Sequence, residues 1–203
     1  IIASLPFILF VKMYNNDIKS LFLDKQVKGF FFLLLASIFI IAIWLNTKLN
    51  FNFIDALRVS AFNVISIITG TGYSTEDFSK WGGFAIGLLF IFMLVGGCTG
   101  STTGGIKIFR IQILFKVIIQ QIQKVIRPHQ IVKITYSKAL IDDKTTLSIL
   151  ALIFLFIASV FIVAAILYFI GLDLLTAFSA AATSIAVVGP GLSAEIAVNK
   201  SSP

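Results

Sequence analysis

The sequence predicts an all-α membrane protein assembled from a repeated unit of spanning helix, short re-entrant helix, glycine turn and second span. Three observations point there. Of 203 residues, 58% are hydrophobic and 12% charged, and the mean hydropathy is +1.02; water-soluble domains have about 45–50% apolar and about 25% charged residues. Apolar runs long enough to cross a bilayer alternate with shorter runs that each lead into glycines. The basic residues gather on alternate sides of those runs, as membrane insertion requires. A water-soluble enzyme body is excluded because too few polar residues remain to cover it, and disorder is excluded by the same hydrophobicity.

Taken in order, residues 1–28 read as the end of a preceding repeat and a cytoplasmic linker. The sequence opens without Met inside an apolar stretch and stops at Ser201-Ser202-Pro203, so the expectation is a piece of a longer polytopic protein. No basic segment precedes the first apolar stretch, as a signal peptide would need. A third pore repeat follows at 29–126: a span at 29–45, a pore helix at 55–68, a glycine turn at 69–73 and a second span at 82–126, broken at 96–105. Residues 127–146 form a cytoplasmic connection. A fourth repeat then begins with a span at 147–170, a pore helix at 174–186 and a turn at 187–191, and its last span is missing. The apolar segments 53–68 and 174–188 fall short of the ~20 residues a crossing needs, which is why they are read as re-entrant.

Charge placement agrees. The formal charge is +7, from 16 Lys and Arg against 9 Asp and Glu. Residues 12–28 and 107–144 hold twelve of the basic residues but only Asp17, Asp24, Asp142 and Asp143 of the acidic ones, so both stretches are assigned to the cytoplasm. Every alternation then fits, provided the two short segments dip in and return. Self-similarity supports the repeat: Ser60-Ala61 and Ser179-Ala180 precede Gly70/Gly72 and Gly189/Gly191 by the same spacing.

The glycine turns suggest chemistry. A short helix leads into Thr69-Gly70-Thr71-Gly72-Tyr73, and a second into Val187-Val188-Gly189-Pro190-Gly191. Both are degenerate forms of a potassium filter strand. A dehydrated cation needs oxygens in place of its water, and backbone carbonyls supply them where glycine permits the necessary angles. Neither strand carries an acid, which disfavours a carboxylate ring. The fold class is thus refined to helix–pore-loop–helix units of a potassium-channel-like pore. An ordinary pair of turns is the plainer alternative for either strand alone.

The stretch Gly96-Gly97-Cys98-Thr99-Gly100-Ser101-Thr102-Thr103-Gly104-Gly105-Ile106-Lys107 interrupts a long helical region. Non-helical backbone at membrane depth is tolerated only against protein or a wet cavity, so a gate loop is expected. Gly96, Gly100 and Gly104 also match the small-residue pattern of packed helices, but Gly97, Gly105 and the Ser-Thr-Thr run would then be superfluous. A phosphate-binding loop fails because Ile106 stands at the lysine position. Asp55 and Asp173 are expected to cap the two pore helices, and His129 to be a loop residue. One cysteine, Cys98, and one histidine supply neither a disulfide nor a zinc site, and no Ser/His or paired-Asp constellation suggests an intramembrane enzyme. An alternating-access carrier built on the broken helix is the second functional class.

Residues 62–73, the glycine stretch 96–107 and Val188-Gly189-Pro190-Gly191-Leu192 resemble, in that order, the third filter segment, the intramembrane loop and the fourth filter strand of TrkH-type potassium transporters. The resemblance implies potassium uptake across the bacterial cytoplasmic (inner) membrane, a homodimer, and a cytosolic TrkA-like nucleotide-binding regulatory ring, with no cofactor in this chain beyond K+ as the transported ion. It implies filter ligands at Thr69, Gly70, Thr71, Gly72, Ala186, Val187, Val188 and Gly189. It implies a gate loop comprising Gly96, Gly97, Gly100, Ser101, Thr102, Thr103, Gly104, Gly105 and Lys107. Gly70 stands where the family more often has Thr, and Val187 where it often has Asn. The internal repeat pairs Gly72 with Gly191, whereas the family motif pairs it with Gly189.

Overall fold

A computed structural model describes residues 1–15, 19–127, 134–136 and 139–189. Eight α-helices are described: α1 (Phe7–Tyr14), α2 (Lys19–Leu23), α3 (Lys25–Leu49), α4 (Phe53–Ile68), α5 (Gly83–Leu94), α6 (Ile108–Ile126), α7 (Asp143–Ile170) and α8 (Leu174–Ala186). Short 3-10 turns lie at Ile2–Ser4 and Phe78–Trp81. One element departs from the all-helical expectation: a two-residue antiparallel hairpin, β1 (Thr135–Tyr136) with β2 (Ala139–Leu140), in the connection before α7.

Length sorts the helices. α3 has 25 residues and α7 has 28, about 37 and 42 Å at ~1.5 Å per residue, and both are apolar enough to cross a membrane. α4 has 16 residues and α8 has 13, about 24 and 20 Å, short of a hydrocarbon core of about 30 Å. Along α3, Val27, Phe30, Leu34, Ile38, Ile41 and Leu45 recur at three- and four-residue steps and are buried, α3 packing chiefly on α4, while Phe32, Leu35, Phe39 and Ile43 face outward. α7 is apolar on every side, with Phe154, Leu155, Phe161, Ile162 and Ile166 exposed; such a surface suits lipid and not water.

Two helix pairs result, α3 with α4 and α7 with α8, and α5 lies between them in contact with both short helices. One hydrophobic core gathers α3, α4 and α5; another gathers α7 and α8; Phe90 of α5 and Phe156 of α7 pack against both. At the far end of α3, the Trp44 indole donates to the Trp81 carbonyl (2.8 Å) and stacks on Phe84 with centroids 4.6 Å apart, fixing the return into α5. The capping expectation is half corrected. Asp173 is the N-cap of α8, accepting from the Thr176 N–H at 3.3 Å. Asp55 does not cap α4: that helix starts two residues earlier than expected, after Asn52, so Asp55 falls within its first turn and pairs with Arg58 at 3.3 Å. Its charge still suits the positive helix end there.

Candidate ion pathway and intramembrane loop

Each short helix hands its chain to a glycine-bearing strand through reversed backbone. After α4, Thr69 is still right-handed (φ −83°, ψ −6°), Gly70 turns left-handed (φ 68°) and Gly72 does so again (φ 82°). Gly70 N–H donates to the Ile67 carbonyl (3.1 Å), and Thr71 and Gly72 N–H to that of Ser66 (2.9 and 3.5 Å). Three successive N–H groups therefore point back into the helix end. Among the described residues the carbonyls of Thr69, Gly70, Thr71 and Gly72 accept no backbone hydrogen bond, which leaves their lone pairs available to another partner. The Thr69 hydroxyl donates to the Ile65 carbonyl (2.7 Å), and its oxygen lies 2.6 Å from that of Thr71.

After α8 the pattern recurs. Val187 is left-handed (φ 56°, ψ 46°), a costly conformation for a β-branched residue, and its N–H and that of Val188 both reach the Thr183 carbonyl. Gly189, two residues beyond Val187, abuts Gly72, two residues beyond Gly70: a Cβ at Gly189 would lie 3.0 Å from the Gly72 Cα. A Cβ at Gly70 would lie 3.1 Å from the Val187 carbonyl oxygen. The two strands, more than a hundred residues apart in the chain, thus run against each other with Gly72 beside Gly189. Pro190 and Gly191, and with them the other register, lie outside the described residues, as does His129.

Sequence reasoning passed over one residue that builds this site. Asn63, buried within α4, donates from Nδ2 to the Val59 carbonyl (2.8 Å) and to Thr75 Oγ1 (3.0 Å), and its Oδ1 accepts the Thr75 N–H (3.3 Å). It staples the outgoing chain to the helix that carries the incoming strand. Its signal was a lone amide among apolar neighbours, the pattern of a buried polar group whose partner lies elsewhere in the chain.

Between α5 and α6 the chain is not helical. α5 ends at Leu94 and α6 begins at Ile108, and Gly96, Gly100 and Gly104 are not helical, so helix-on-helix packing is not their role. The two limbs of the loop pair at its mouth, through Gly96 N–H to the Ile106 carbonyl (2.9 Å) and Ile106 N–H to the Leu94 carbonyl (2.8 Å). Inside, Thr103 Oγ1 accepts the Gly97 N–H at 2.8 Å. The N-terminal turn holds the tip: Cys98 N–H donates to the Ser4 carbonyl (2.9 Å), Phe7 N–H to that of Gly100 (3.1 Å) and Thr102 N–H to that of Ala3 (3.3 Å). Gln26 of α3 accepts the Thr99 N–H at 2.9 Å.

Gly104 connects the loop to the strands. A Cβ there would overlap the Ala186 carbonyl oxygen, so only glycine lets the loop sit directly against the end of α8. Lys107 follows as the N-terminal cap position of α6, and its side chain folds back onto Ser101 and Thr103. Hydrogen bonds from Thr176, side chain first and then backbone, hold the Asp173 carboxyl below its usual range at the other end of α8.

Long apolar helices paired with short ones, whose glycine strands meet beside a loop between two helices, are the construction of a helical membrane transporter. The chain matches the family described as "TrkH: Cation transport protein" over residues 7–202. It belongs to that family. It is 37% identical over 190 residues to the Trk system potassium uptake protein TrkI of Halomonas elongata, covering 94% of this chain and 38% of the relative. To TrkG of Escherichia coli K12 it is 26% identical, covering 91% of this chain and 38% of that protein. The crystal structure of the potassium transporter TrkH from Vibrio parahaemolyticus superposes with a TM-score of 0.89 at 24% identity, over 95% of this chain and 42% of that one, and shares its fold. The chain spans about two fifths of these proteins' length.

Proposed function

We propose that the chain forms two of the pore repeats of a potassium uptake protein of the bacterial cytoplasmic membrane. In this reading, carbonyls of Thr69, Gly70, Thr71, Gly72, Ala186, Val187, Val188 and Gly189 replace the water of a dehydrated K+, and the loop at 96–105 gates the path beneath them. The seam between the strands carries the proposal: Gly72 lies against Gly189, and the carbonyls of residues 69–72 are left without backbone partners among the described residues. The names of the relatives, potassium uptake proteins of a Trk system, point the same way. A homodimer and a cytosolic TrkA-like nucleotide-binding ring belong to the proposal as its regulatory side.

The test is ion selectivity of the full-length protein in proteoliposomes. Gly72→Ala puts a side chain at φ 82°, where a left-handed L-residue costs about 1–2 kcal/mol, and Gly189→Ala drives a Cβ into the facing strand. Each is expected to lower the preference for K+ over Na+ while the protein still folds; parental selectivity in both variants refutes the filter. The gap between α5 and α6 favours one other reading, an alternating-access carrier that binds its cation at the broken helix. Single-channel currents, as opposed to slow saturable flux, separate the two.

A further inference from the structure

Lys107 stands in unusual company. Its Nζ donates to the Ser101 carbonyl (3.2 Å), Ser101 Oγ (3.3 Å), Thr103 Oγ1 (3.2 Å) and, most closely, the Thr103 carbonyl. All four acceptors are neutral. Among the described residues the ion pairs join Arg58 to Asp55 and Lys80 to Asp77, and no carboxylate pairs with this ammonium. The neighbouring charge on its own helix, Arg110, is repulsive. A half-buried ammonium is here balanced by dipoles alone, at the depth where the chain breaks its helix.

The hydroxyls are oriented for that task. Ser101 Oγ–H donates to the Cys98 carbonyl (2.6 Å), and the two hydroxyl oxygens lie 2.9 Å apart, so the Thr103 proton goes to Ser101. Both oxygens then turn lone pairs toward Nζ. Two carbonyls and two hydroxyls around one unit charge make the same kind of ligand set that replaces water around a monovalent cation in a pore. Ammonium and dehydrated potassium carry equal charge and are of nearly equal size, so oxygens placed for one accept the other. Thr103 adjoins Gly104, which rests on the Ala186 carbonyl.

We propose that Ser101 and Thr103 form a monovalent-cation site which Lys107 fills with its own tethered ammonium, latching the loop under the strands until a permeating cation displaces it. This rests on the reading of the loop as a gate. Lys107 then makes the latch sensitive to the ion that passes it, because the occupant and the cargo compete for one set of oxygens.

The experiment follows rubidium flux through the full-length protein in proteoliposomes. Lys107→Ala empties the site and is expected to raise basal flux at least about tenfold, as loss of a charge-assisted hydrogen-bond cluster implies. Lys107→Met, of nearly the same length but without charge or N–H donors, is expected to give the same rise, because the latch depends on the tethered ammonium and not on bulk. Parental or reduced flux in Lys107→Ala, or parental flux in Lys107→Met, overturns the latch. Ser101→Ala keeps the lysine and removes one oxygen, so it serves if Lys107→Ala does not fold: a smaller rise supports the latch and unchanged flux overturns it. Wild-type vesicles that carry no rubidium overturn the transport reading and the latch with it, whereas active wild-type vesicles with an unaltered variant overturn the latch alone.

Discussion

Gly104→Ala perturbs a place where the loop touches the end of α8 through backbone. A Cβ built at Gly104 overlaps the Ala186 carbonyl oxygen, lies 2.6 Å from its carbon and stands 3.1 Å from the Val187 Cβ. Carbon contacts are comfortable near ~3.5–4.0 Å, so the loop must withdraw by about 1 Å or more. A carbonyl at a helix end cannot rotate away as a flexible side chain would. Overpacking of this kind costs about 1–3 kcal/mol, and a bias of that size shifts a two-state equilibrium about 5- to 150-fold. If the seated loop is the closed state, basal flux of the full-length protein rises within that range. The assay is rubidium uptake into proteoliposomes, with Gly87→Ala as the control: nothing lies within 4 Å of a Cβ at Gly87, and its flux stays parental. A Gly104→Ala protein that folds normally and shows unchanged flux and selectivity refutes the seating argument.

Two further predictions concern the supports of the site. Asn63→Ala removes the amide that ties Thr75 to α4, and stability in detergent is expected to fall by about 1–3 kcal/mol with a parallel loss of K+ preference; unaltered thermal melting and selectivity refute the staple. Burial first, and the Asp24 charge second, push the Tyr136 phenol up to about 12, while its O–H donates to Gln112 Oε1 at 2.6 Å. The neutral phenol therefore stabilises the docked hairpin fully below pH 10.0, and the contribution disappears as pH rises through about 12. Phenolate absorbance is expected to show one late-titrating tyrosine that Tyr136→Phe removes; a titration without that late step refutes the docking.

What was legible in the sequence and what was not divides along the range of the physics. The glycine-rich stretch 96–107 stood out in the sequence because glycine density and hydropathy are local quantities. The start of α4 could not, because Asn52 and Asp55 are both acceptable near a helix N-terminus and the choice depends on how the chain leaves α3 through the left-handed Asn50. The β1–β2 hairpin was missed because two-residue strands carry no periodicity; α6 holds it instead, through Lys116 to the Thr135 carbonyl and Tyr136 to Gln112.

Helix length and apolar content by themselves determined that two helices are long and apolar enough to cross a bilayer and that two others fall short of its core thickness, because the energy of burying apolar surface in lipid follows composition and the helical rise is constant. That Gly189 lies against Gly72, and which oxygens receive the Lys107 ammonium, were visible only in the tertiary structure. Those contacts join segments whose separation in space no local pattern encodes, and hydrogen bonds and steric overlap are settled within a few tenths of an ångström, a resolution that hydropathy does not possess.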